Sequence, residues 1–548
     1  MPSYSQPGII NALDYGMVPN DRTIAVANAQ ALQAAINAAQ ANCAAANDAS
    51  YGATVVIPSN DTVPSGPSKG NGGVYYIAAA PMLTYAVLIS CVYPLLITGT
   101  SNGTKLVMTG PQGGNYGDVF VVGNNTRNKD ENIGGVSFQD LQIFYDTGAT
   151  SGAAIRITTD SQNVRLFRMV LDSCPVGVAL DESLQVSIMD CVIWYSINPG
   201  TAVTLGTTTS GQIAKETYIA GCVFESSGSL TGTGLSIINA DEVRVVNTRI
   251  ESFQQGIAIT SPVLYCLHLF FENVSVFTYN ASESSTLGAA LLIQPSGRGS
   301  VLRAVFVGCQ FGSTENQTNY TGPGIFIDQS NTSGVIDQIR FVSCWSSGWT
   351  GNGMQINGNV GNVEILGGYY SCNGQGPFAP TTPIGIYLSS SGSAAPFGVR
   401  IVGAACNNSV YSNEGAGGYL PTTQKVGISL PSGAKNVFVR QCDLTGNRTA
   451  GLQAASPDKT VQVIDCAGYN DQATPLASTA PPPNQTFYSY TYNNYAGPAA
   501  FYVSGGSAVK VIIDGIDTGV SQGGFTLGPG ESALLKYSSA PEFTMVGK

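Results

Sequence analysis

"CVFESSGSLTGTGLSIINADEVRVVNTRIESFQQGIAI" occupies residues 222–259 and contains one phrase twice. "CVFES" (222–226) returns as "TRIES" (248–252), and each is followed by a Gly-containing loop and a short apolar segment, "GLSII" (234–238) or "GIAI" (256–259). A glutamate stands at the same point of both copies, in a chain of which only 10% is charged. An average soluble protein carries roughly 25%.

The phrase runs through the middle of the chain. It reads N-V-x-[VIF]-x-x-[CNT]-x-[FIV], then a variable loop, then G-[IVL]-x-[IL]. Copies stand at "NVRLFRMVLDSCPVGVAL" (163–180), "LQVSIMDCVIWYSINPGTAVTL" (184–205) and "VLRAVFVGCQFG" (301–312). Later copies are "DQIRFVSCWSSGWTGNGMQI" (337–356), "NVEILGGYYSCNGQG" (362–376) and "NVFVRQCDLTGNRTAGLQA" (436–454). The apolar runs are short and β-branched, so they are strands. A recurring unit with insertions confined to one loop is a solenoid, in which each unit buries its apolar face only against its neighbours. Three short strands per turn make a right-handed parallel β-helix. An antiparallel sandwich has no reason to repeat one phrase in phase.

The 548 residues suffice for a large core and more than one domain. The net charge of −11 excludes a nucleic-acid partner, which needs clustered Lys and Arg. It also favours a neutral glycan over an acidic one. No uninterrupted apolar run reaches the roughly 18 residues that span a bilayer. "MLTYAVLISCVYPLLITG" (82–99) comes nearest, but Pro94 interrupts it and it reads as two strands. "MPSYSQPGIINALDYG" (1–16) has neither the basic start nor the apolar stretch of a secretory signal. The expected location is extracellular or on a virion surface, reached by release of assembled particles or after removal of a leader.

Ten of the twelve cysteines, from Cys174 to Cys466, follow one another at intervals of 17 to 44 residues, mostly inside apolar strands. Without a CxxC pair they do not form a zinc cluster. They read as small apolar residues in a buried ladder rather than as disulfides. The single histidine, His268 in "CLHLFFENV", has no catalytic motif around it. No cofactor and no metal is expected, so the chemistry falls to carboxylates, Tyr, Lys or Arg.

The N-terminal stretch "NALDYGMVPNDRTIAVANAQALQAAINAAQANC" (11–43) reads as a strand, a turn and an amphipathic helix capped by Asp21 or Asn28. With Asp14-Tyr15-Gly16, Asn20-Asp21, Thr23, Asn28, Ala31-Leu32 and Ala35-Ile36 it resembles the opening module of the pectate-lyase-like β-helix superfamily. "FYSYTYNNYAGPAAFYVSGGSAVKVIIDGIDTG" opens the last segment of the chain (487–548), which reads as a small antiparallel sheet. That segment resembles the closing domain of phage tailspike depolymerases and related bacterial glycan-active proteins. The resemblance implies a helix capping the open end of the solenoid, a polysaccharide or oligosaccharide substrate and a homotrimer held by the closing domain. The expected organisation is a cap over 1–82, a parallel β-helix over 83–473, a Pro-rich linker over 474–486 and a trimerising β domain over 487–548.

Rungs of such a coil lie about 4.8 Å apart, so equivalent residues stack in columns. Aligning on Leu171, Ile193, Phe224, Ile250, Val276 and Phe311 brings Asp172, Trp194, Glu225, Glu251, Phe277 and Gly312 into one outward column. Glycoside cleavage uses such a surface: one carboxylic acid protonates the leaving oxygen, and a second acts as nucleophile or activates water. Glu225 and Glu251 on neighbouring rungs are the expected catalytic pair. Asp172, two rungs from Glu225, is placed to bind or activate water. Trp194 and Phe277 flank the acids and suit the faces of sugar rings. Arg249 is assigned to the substrate, although it or Arg244 can equally pair with the glutamates. Trp345 and Trp349 in "CWSSGWTGN" read as a second sugar platform in an exposed loop, and Asp328 with Asp337 as a lesser acid pair.

The polygalacturonases of this fold carry "GHG" and "RIK", and neither is present; no calcium-binding acid cluster of the pectate lyases is evident either. The sequence thus points to glycoside hydrolysis. A polysaccharide lyase, a fructotransferase-type β-helix enzyme and a non-catalytic glycan- or receptor-binding spike remain open alternatives.

Overall fold

The computed structural model describes residues 8–46, 52–59, 74–90, 93–100, 103–110, 116–123, 135–158, 161–195, 200–209, 211–227, 232–278, 288–313, 322–330, 333–374, 382–407, 412–413, 418–419, 424–454, 460–469, 486–492, 499–528 and 531–546. They form two compact units, residues 1–322 with 332–335, and residues 323–331 with 336–548.

The first unit is a parallel β-helix with three faces. Each face collects every third strand along the chain. The first face runs from Ile9–Asn11 and Ala53–Ile57 through Ser183–Met189 and Ala240–Val246 to Ser300–Val307. The second runs from Val74–Ile77 through Val170–Asp172, Val192–Tyr195, Val223–Ser226, Arg249–Phe253 and Ser275–Thr278 to Gln310–Ser313. The third runs from Tyr85–Ile89 through Val176–Leu180 to Leu291–Ile293. The described pairings on these faces are parallel, with one register shift, between Glu251 and Phe253 on the second face. The "MLTYAVLISCVYPLLITG" segment is indeed two strands, Tyr85–Ile89 and Leu95–Gly99, but they lie on different faces. The coil also begins earlier than expected. Ala53–Ile57 pairs with Leu95–Gly99 and Val74–Ile77 with Lys105–Met108, so strands assigned to the cap are rungs of the helix.

Inward positions form stacks of like residues. Leu166, Ile188, Ile219, Val245, Phe271 and Phe306 pair successively on the first face, and all are buried. The Phe271 and Phe306 rings lie face to face, their centroids 4.7 Å apart. Such stacking lets each rung bury the apolar side chains of its neighbours whatever its loops contain.

The turn from the first face to the second is built the same way on the seven rungs that start at Val136–Gln139 and end at Ser300–Val307. A residue in the left-handed region precedes a buried residue: Asp140 before Leu141, Arg168 before Met169, Asp190 before Cys191, Gly221 before Cys222, Asn247 before Thr248, Asn273 before Val274, and Gly308 before Cys309. Asp, Asn and Gly tolerate that conformation best. Cys191 and Cys222 each accept, through the carbonyl, the amide two residues beyond this point on the next rung: Val223 N–H donates to Cys191 O and Arg249 N–H to Cys222 O, both at 2.9 Å. The thiols turn back to carbonyls of their own strand, Cys191 Sγ to Met189 O at 3.2 Å and Cys222 Sγ to Ala220 O at 3.3 Å. Cys191, Cys222 and Cys309 thus share one corner, as do Cys344, Cys442 and Cys466 within the second unit. Cys174, Cys266, Cys372 and Cys406 sit elsewhere, so the cysteines do not make a single ladder. Every described cysteine is buried and none is in a disulfide, and burial pushes the Cys266 thiol up to about 12.

Helix Ala25–Ala46 covers the first coils with Ala25, Ala29, Leu32, Ala35, Ile36, Ala39 and Cys43 buried. Asp21 caps the 3₁₀ turn that leads into it, accepting the Thr23 amide at 2.9 Å. Asn28 is not a cap. It is buried inside the helix, where its amide bonds Val18 and the Tyr76 carbonyl. Gln33 treats the edge strand Tyr85–Ile89 as a neighbouring strand would, accepting from Leu88 N and donating to Leu88 O, each at 2.8 Å. An open sheet edge is thereby paired within the chain.

Within the second unit, one face is formed by Ile336–Val342, Gly361–Leu366, Arg400–Val402, Phe438–Arg440 and Gln462–Ile464, called its first, and another runs from Ile325–Gln329 to Ala450–Ala454, called its third. Its second face is reduced to Trp345–Ser347 and single bridges that link Trp345, Tyr369, Ala405, Asp443 and Ala467. Buried side-chain amides supply backbone pairing in its interior. Gln424 accepts from the Asn373 backbone and side-chain amides and donates to the Cys406 and Asn407 carbonyls. Residues 474–485 of the Pro-rich linker lie outside the described residues. Strands between Phe487 and Val546 form two small antiparallel sheets around Phe501, Val511, Leu535 and Phe543. A two-residue Asp514-Gly515 hairpin with both φ angles positive joins Lys510–Ile513 to Ile516–Asp517.

Candidate active site

The second face of the first unit carries the acid column. Leu171, Ile193, Phe224, Ile250, Val276 and Phe311 pair in succession, at most 1% exposed. The residues after them pair in the same register: Phe144 with Asp172, Asp172 with Trp194, Trp194 with Glu225, Glu225 with Glu251, Glu251 with Phe277, and Phe277 with Gly312. Alternation along each strand turns this set outward. Trp194 is 47% exposed, while Asp172, Glu225, Glu251 and Phe277 are half-buried.

The residues two positions earlier form a parallel strip of Val170, Val192, Val223 and Arg249, all outward, with the valines half-buried. Three β-branched apolar side chains therefore line one flank of Asp172, Trp194 and Glu225. Arg249 follows on that strip, and its guanidinium contacts Glu251 Oε2 on the same strand. The cation assigned to substrate from the sequence is thus engaged by the second glutamate. Arg244 is paired with Glu272 at 3.3 Å and lies over the Phe270 ring. Among the described residues Glu225 has no cationic partner. Ser173 Oγ donates to Asp172 Oδ1 at 2.8 Å.

The backbone is irregular beside two of the acids. Ser252, directly after Glu251, has φ +64°, and the register with the next strand shifts between Glu251 and Phe253. Ser173, directly after Asp172, has φ +56°. A bulge and left-handed serines at these points re-aim the adjoining side chains. Gly312 follows Phe277 in the column, and a Cβ there would approach the Phe277 ring to 2.7 Å, so the glycine makes room for that ring.

The remaining candidates separate. Trp349 is fully buried, so it is no part of an exposed sugar platform. It packs over Gly324, where a Cβ would collide with the indole, and its amide donates to Asn373 Oδ1 at 3.3 Å. Trp345 stands on a strand and remains half-buried at the surface. Asp328 is buried on the third face, held by the Ser330 amide and Asn357, whereas Asp337 lies on the first face against Asn362. The two do not share a surface. His268 bonds Asp241 and Arg303, each at 2.9 Å, and Asp181 bonds Arg156. A cavity of about 490 Å³ lies between the capping helix and Tyr85–Ile89, and none of the column residues lines it. Among the described residues no group of acids, cysteines and histidine is arranged to hold a metal, and no helix is long and apolar enough to cross a membrane.

No family profile matches the sequence, and no curated protein matches it. Among solved structures the chain is similar to a mutant tailspike protein of E. coli bacteriophage HK620 in complex with pentasaccharide. The identity is 12%, covering 98% of this chain and 94% of that one, with a TM-score of 0.49. A second mutant of that tailspike in complex with pentasaccharide aligns at 11% identity over 98% of this chain and 93% of that one, TM-score 0.49. The A-module of an Azotobacter vinelandii mannuronan C-5 epimerase aligns at 13% identity, covering 82% of this chain and all of that one, TM-score 0.38. These are distant likenesses of overall chain path, and the function rests on the residues of this chain.

Proposed function

We propose that this protein cleaves a neutral polysaccharide or oligosaccharide by glycoside hydrolysis on the second face of the first unit. The observation that carries the reading is the in-register pairing of Glu225 with Glu251, flanked by Trp194 and Phe277. The sugar rings lie along the column against Trp194 and Phe277. Glu225, without a cationic partner among the described residues, gives its proton to the glycosidic oxygen as the bond to the anomeric carbon breaks. Glu251, oriented by Arg249, attacks that carbon and forms a glycosyl ester. Water then releases the sugar, with Glu225 taking the proton back. The two backbones are about one rung apart, and retaining enzymes hold their carboxyl groups about 5–5.5 Å apart.

One observation favours a second reading of the same column. Arg249 occupies Glu251, and Asp172 lies two rungs from Glu225 with Trp194 between them. At about 10 Å between backbones, carboxyl groups that lean toward each other over Trp194 come near the roughly 6.5–9.5 Å used by inverting enzymes, with Asp172 activating water.

The test compares wild type with Glu225→Gln, Glu251→Gln and Asp172→Asn on a panel of neutral and uronate-containing polysaccharides. Reducing ends, ultraviolet absorbance of unsaturated ends and the anomer of the first product are followed. Reducing ends without unsaturation, lost in Glu225→Gln, support hydrolysis. Retention with loss in Glu251→Gln supports the adjacent pair, and inversion with loss in Asp172→Asn supports the wider one. Unsaturated ends would make the protein a lyase, and binding without product a non-catalytic glycan-binding spike. Assembly as a homotrimer through residues 487–548, on a virion or otherwise outside the cell, belongs to the same proposal and is checked by light scattering of the whole chain and of a chain ending before the linker.

A further inference from the structure

The second unit carries an arrangement that the acid column does not use. Trp345, Tyr369, Ala405 and Asp443 are bridged in succession, so they occupy neighbouring rungs at one outward position. Tyr369 is 60% exposed, the largest such exposure of an aromatic residue among the described residues, and Trp345 beside it is half-buried. Ala405 is small and half-buried, and leaves a notch one rung wide. Beyond the notch Asp443 is fixed by three donors: Thr445 N at 3.0 Å and Thr445 Oγ at 2.6 Å on Oδ1, and Asn407 Nδ2 at 2.7 Å on Oδ2. Asn407 is itself held by Ser371 Oγ, at 3.0 Å from its Oδ1.

A carboxylate offers about four lone-pair sites, so three donors leave Oδ2 able to accept one more hydroxyl. The notch thus has an aromatic wall, a floor without side-chain bulk and an oriented acceptor on the far side. Aromatic faces meet the apolar C–H faces of a pyranose, while an oriented acceptor fixes a hydroxyl. The hydrogen bonds from Thr445 and Asn407 hold the Asp443 carboxyl below its ordinary range despite its partial burial, so it receives hydrogen bonds and does not supply a proton. No second carboxylate stands in this column among the described residues, and one acid so held performs no hydrolysis.

We infer that Trp345, Tyr369, Ala405 and Asp443 form a second saccharide site, which binds a neutral pyranose over Ala405 without cleaving it. It requires nothing of the acid column and stands if hydrolysis there is disproved.

Tryptophan fluorescence tests it, because the chain has only three tryptophans. In Trp194→Phe the only partly exposed indole left is that of Trp345, since Trp349 is buried. Trp194→Phe is titrated with cellohexaose, maltohexaose, mannohexaose and dextran. At least one of these is expected to shift or quench the emission saturably. Adding Tyr369→Ala should weaken that binding at least tenfold, Tyr369→Phe should restore it, and Asp443→Asn should weaken it with the circular-dichroism spectrum unchanged. No saturable change with any of the four probes overturns the site. Equal affinity in Trp194→Phe with and without Tyr369→Ala overturns it as well. Hydrolysis lost in Glu225→Gln while this fluorescence response persists shows two separate sites.

Discussion

Glu225 and Glu251 stand directly opposite each other on adjacent parallel strands, and among the described residues only the second touches an arginine. This asymmetry gives chemically identical groups different surroundings. Arg249 is the group that distinguishes them. Arg249→Met is expected to lower kcat by about 10²-fold, the scale of a mispositioned catalytic group. KM should change little, and Arg249→Lys should recover part of the loss. A rise in KM alone would return Arg249 to the substrate-binding role read from the sequence.

Trp194 is the exposed ring of the acid column. Trp194→Ala should raise KM about tenfold, since an aromatic contact contributes about 0.5–1.5 kcal/mol. Trp194→Phe should retain most of the affinity. Melting temperature checks that neither change acts through the fold.

Trp349→Ala should act on stability and not on binding. Its indole fills the space over Gly324, so truncation leaves a cavity worth about 3–5 kcal/mol. Denaturant unfolding measures that loss, and glycan affinity in the folded fraction should be unchanged. The outcome separates Trp349 from Trp345, whose removal should leave stability nearly intact.

Gln33→Ala removes the side chain that pairs both backbone groups of Leu88. Unsatisfied buried polar groups cost about 1–3 kcal/mol each, so this cap should loosen before the rest of the coil. Hydrogen exchange is expected to speed up in Tyr85–Ile89 and to stay unchanged in Ala240–Val246.

Arg168 donates two hydrogen bonds to Asp140 and so holds its carboxyl below the ordinary range. A carboxyl depressed on folding stabilises the native state above its unfolded value of about 3.9, and that contribution is lost as pH falls through the folded value. Asp140→Asn keeps a residue suited to the left-handed corner. Its melting temperature should lie below wild type at pH 7, and the difference should close as pH falls through the depressed folded value. A difference that persists in acid would point to the corner geometry and not to the ion pair.

The column was legible in the sequence because period-two alternation and a repeating apolar anchor fix register. Leu171, Ile193, Phe224 and Ile250 are strong anchors, and slipping any of them by one would expose it. The start of the coil was not legible. "ATVVI" (53–57) and "VYYI" (74–77) lie before the repeat settles into a recognisable phrase, so pattern alone grouped them with the helix. Trp349 was misread because polar and glycine neighbours suggest a loop at the surface. Its burial depends on Gly324, distant in sequence, having no side chain. Tyr369 has no strand around it to carry a periodic signal, only a single bridge on each side. The left-handed serines after Asp172 and Glu251 leave no mark in composition, since serine is ordinary at any surface position.

The corner between the first and second faces has a further consequence. Aspartate, arginine, glycine and asparagine all fill its left-handed position, and leucine, methionine, cysteine, threonine and valine all fill the buried one after it. Folding asks for a backbone shape there and tolerates many spellings of it. The outward residues two and four places from that left-handed position are freer still, because neither the core nor the corner depends on them. A lineage could therefore exchange one set of displayed side chains for another, a rung at a time, without passing through an unfolded ancestor. In such a molecule recognition and architecture mutate on separate clocks.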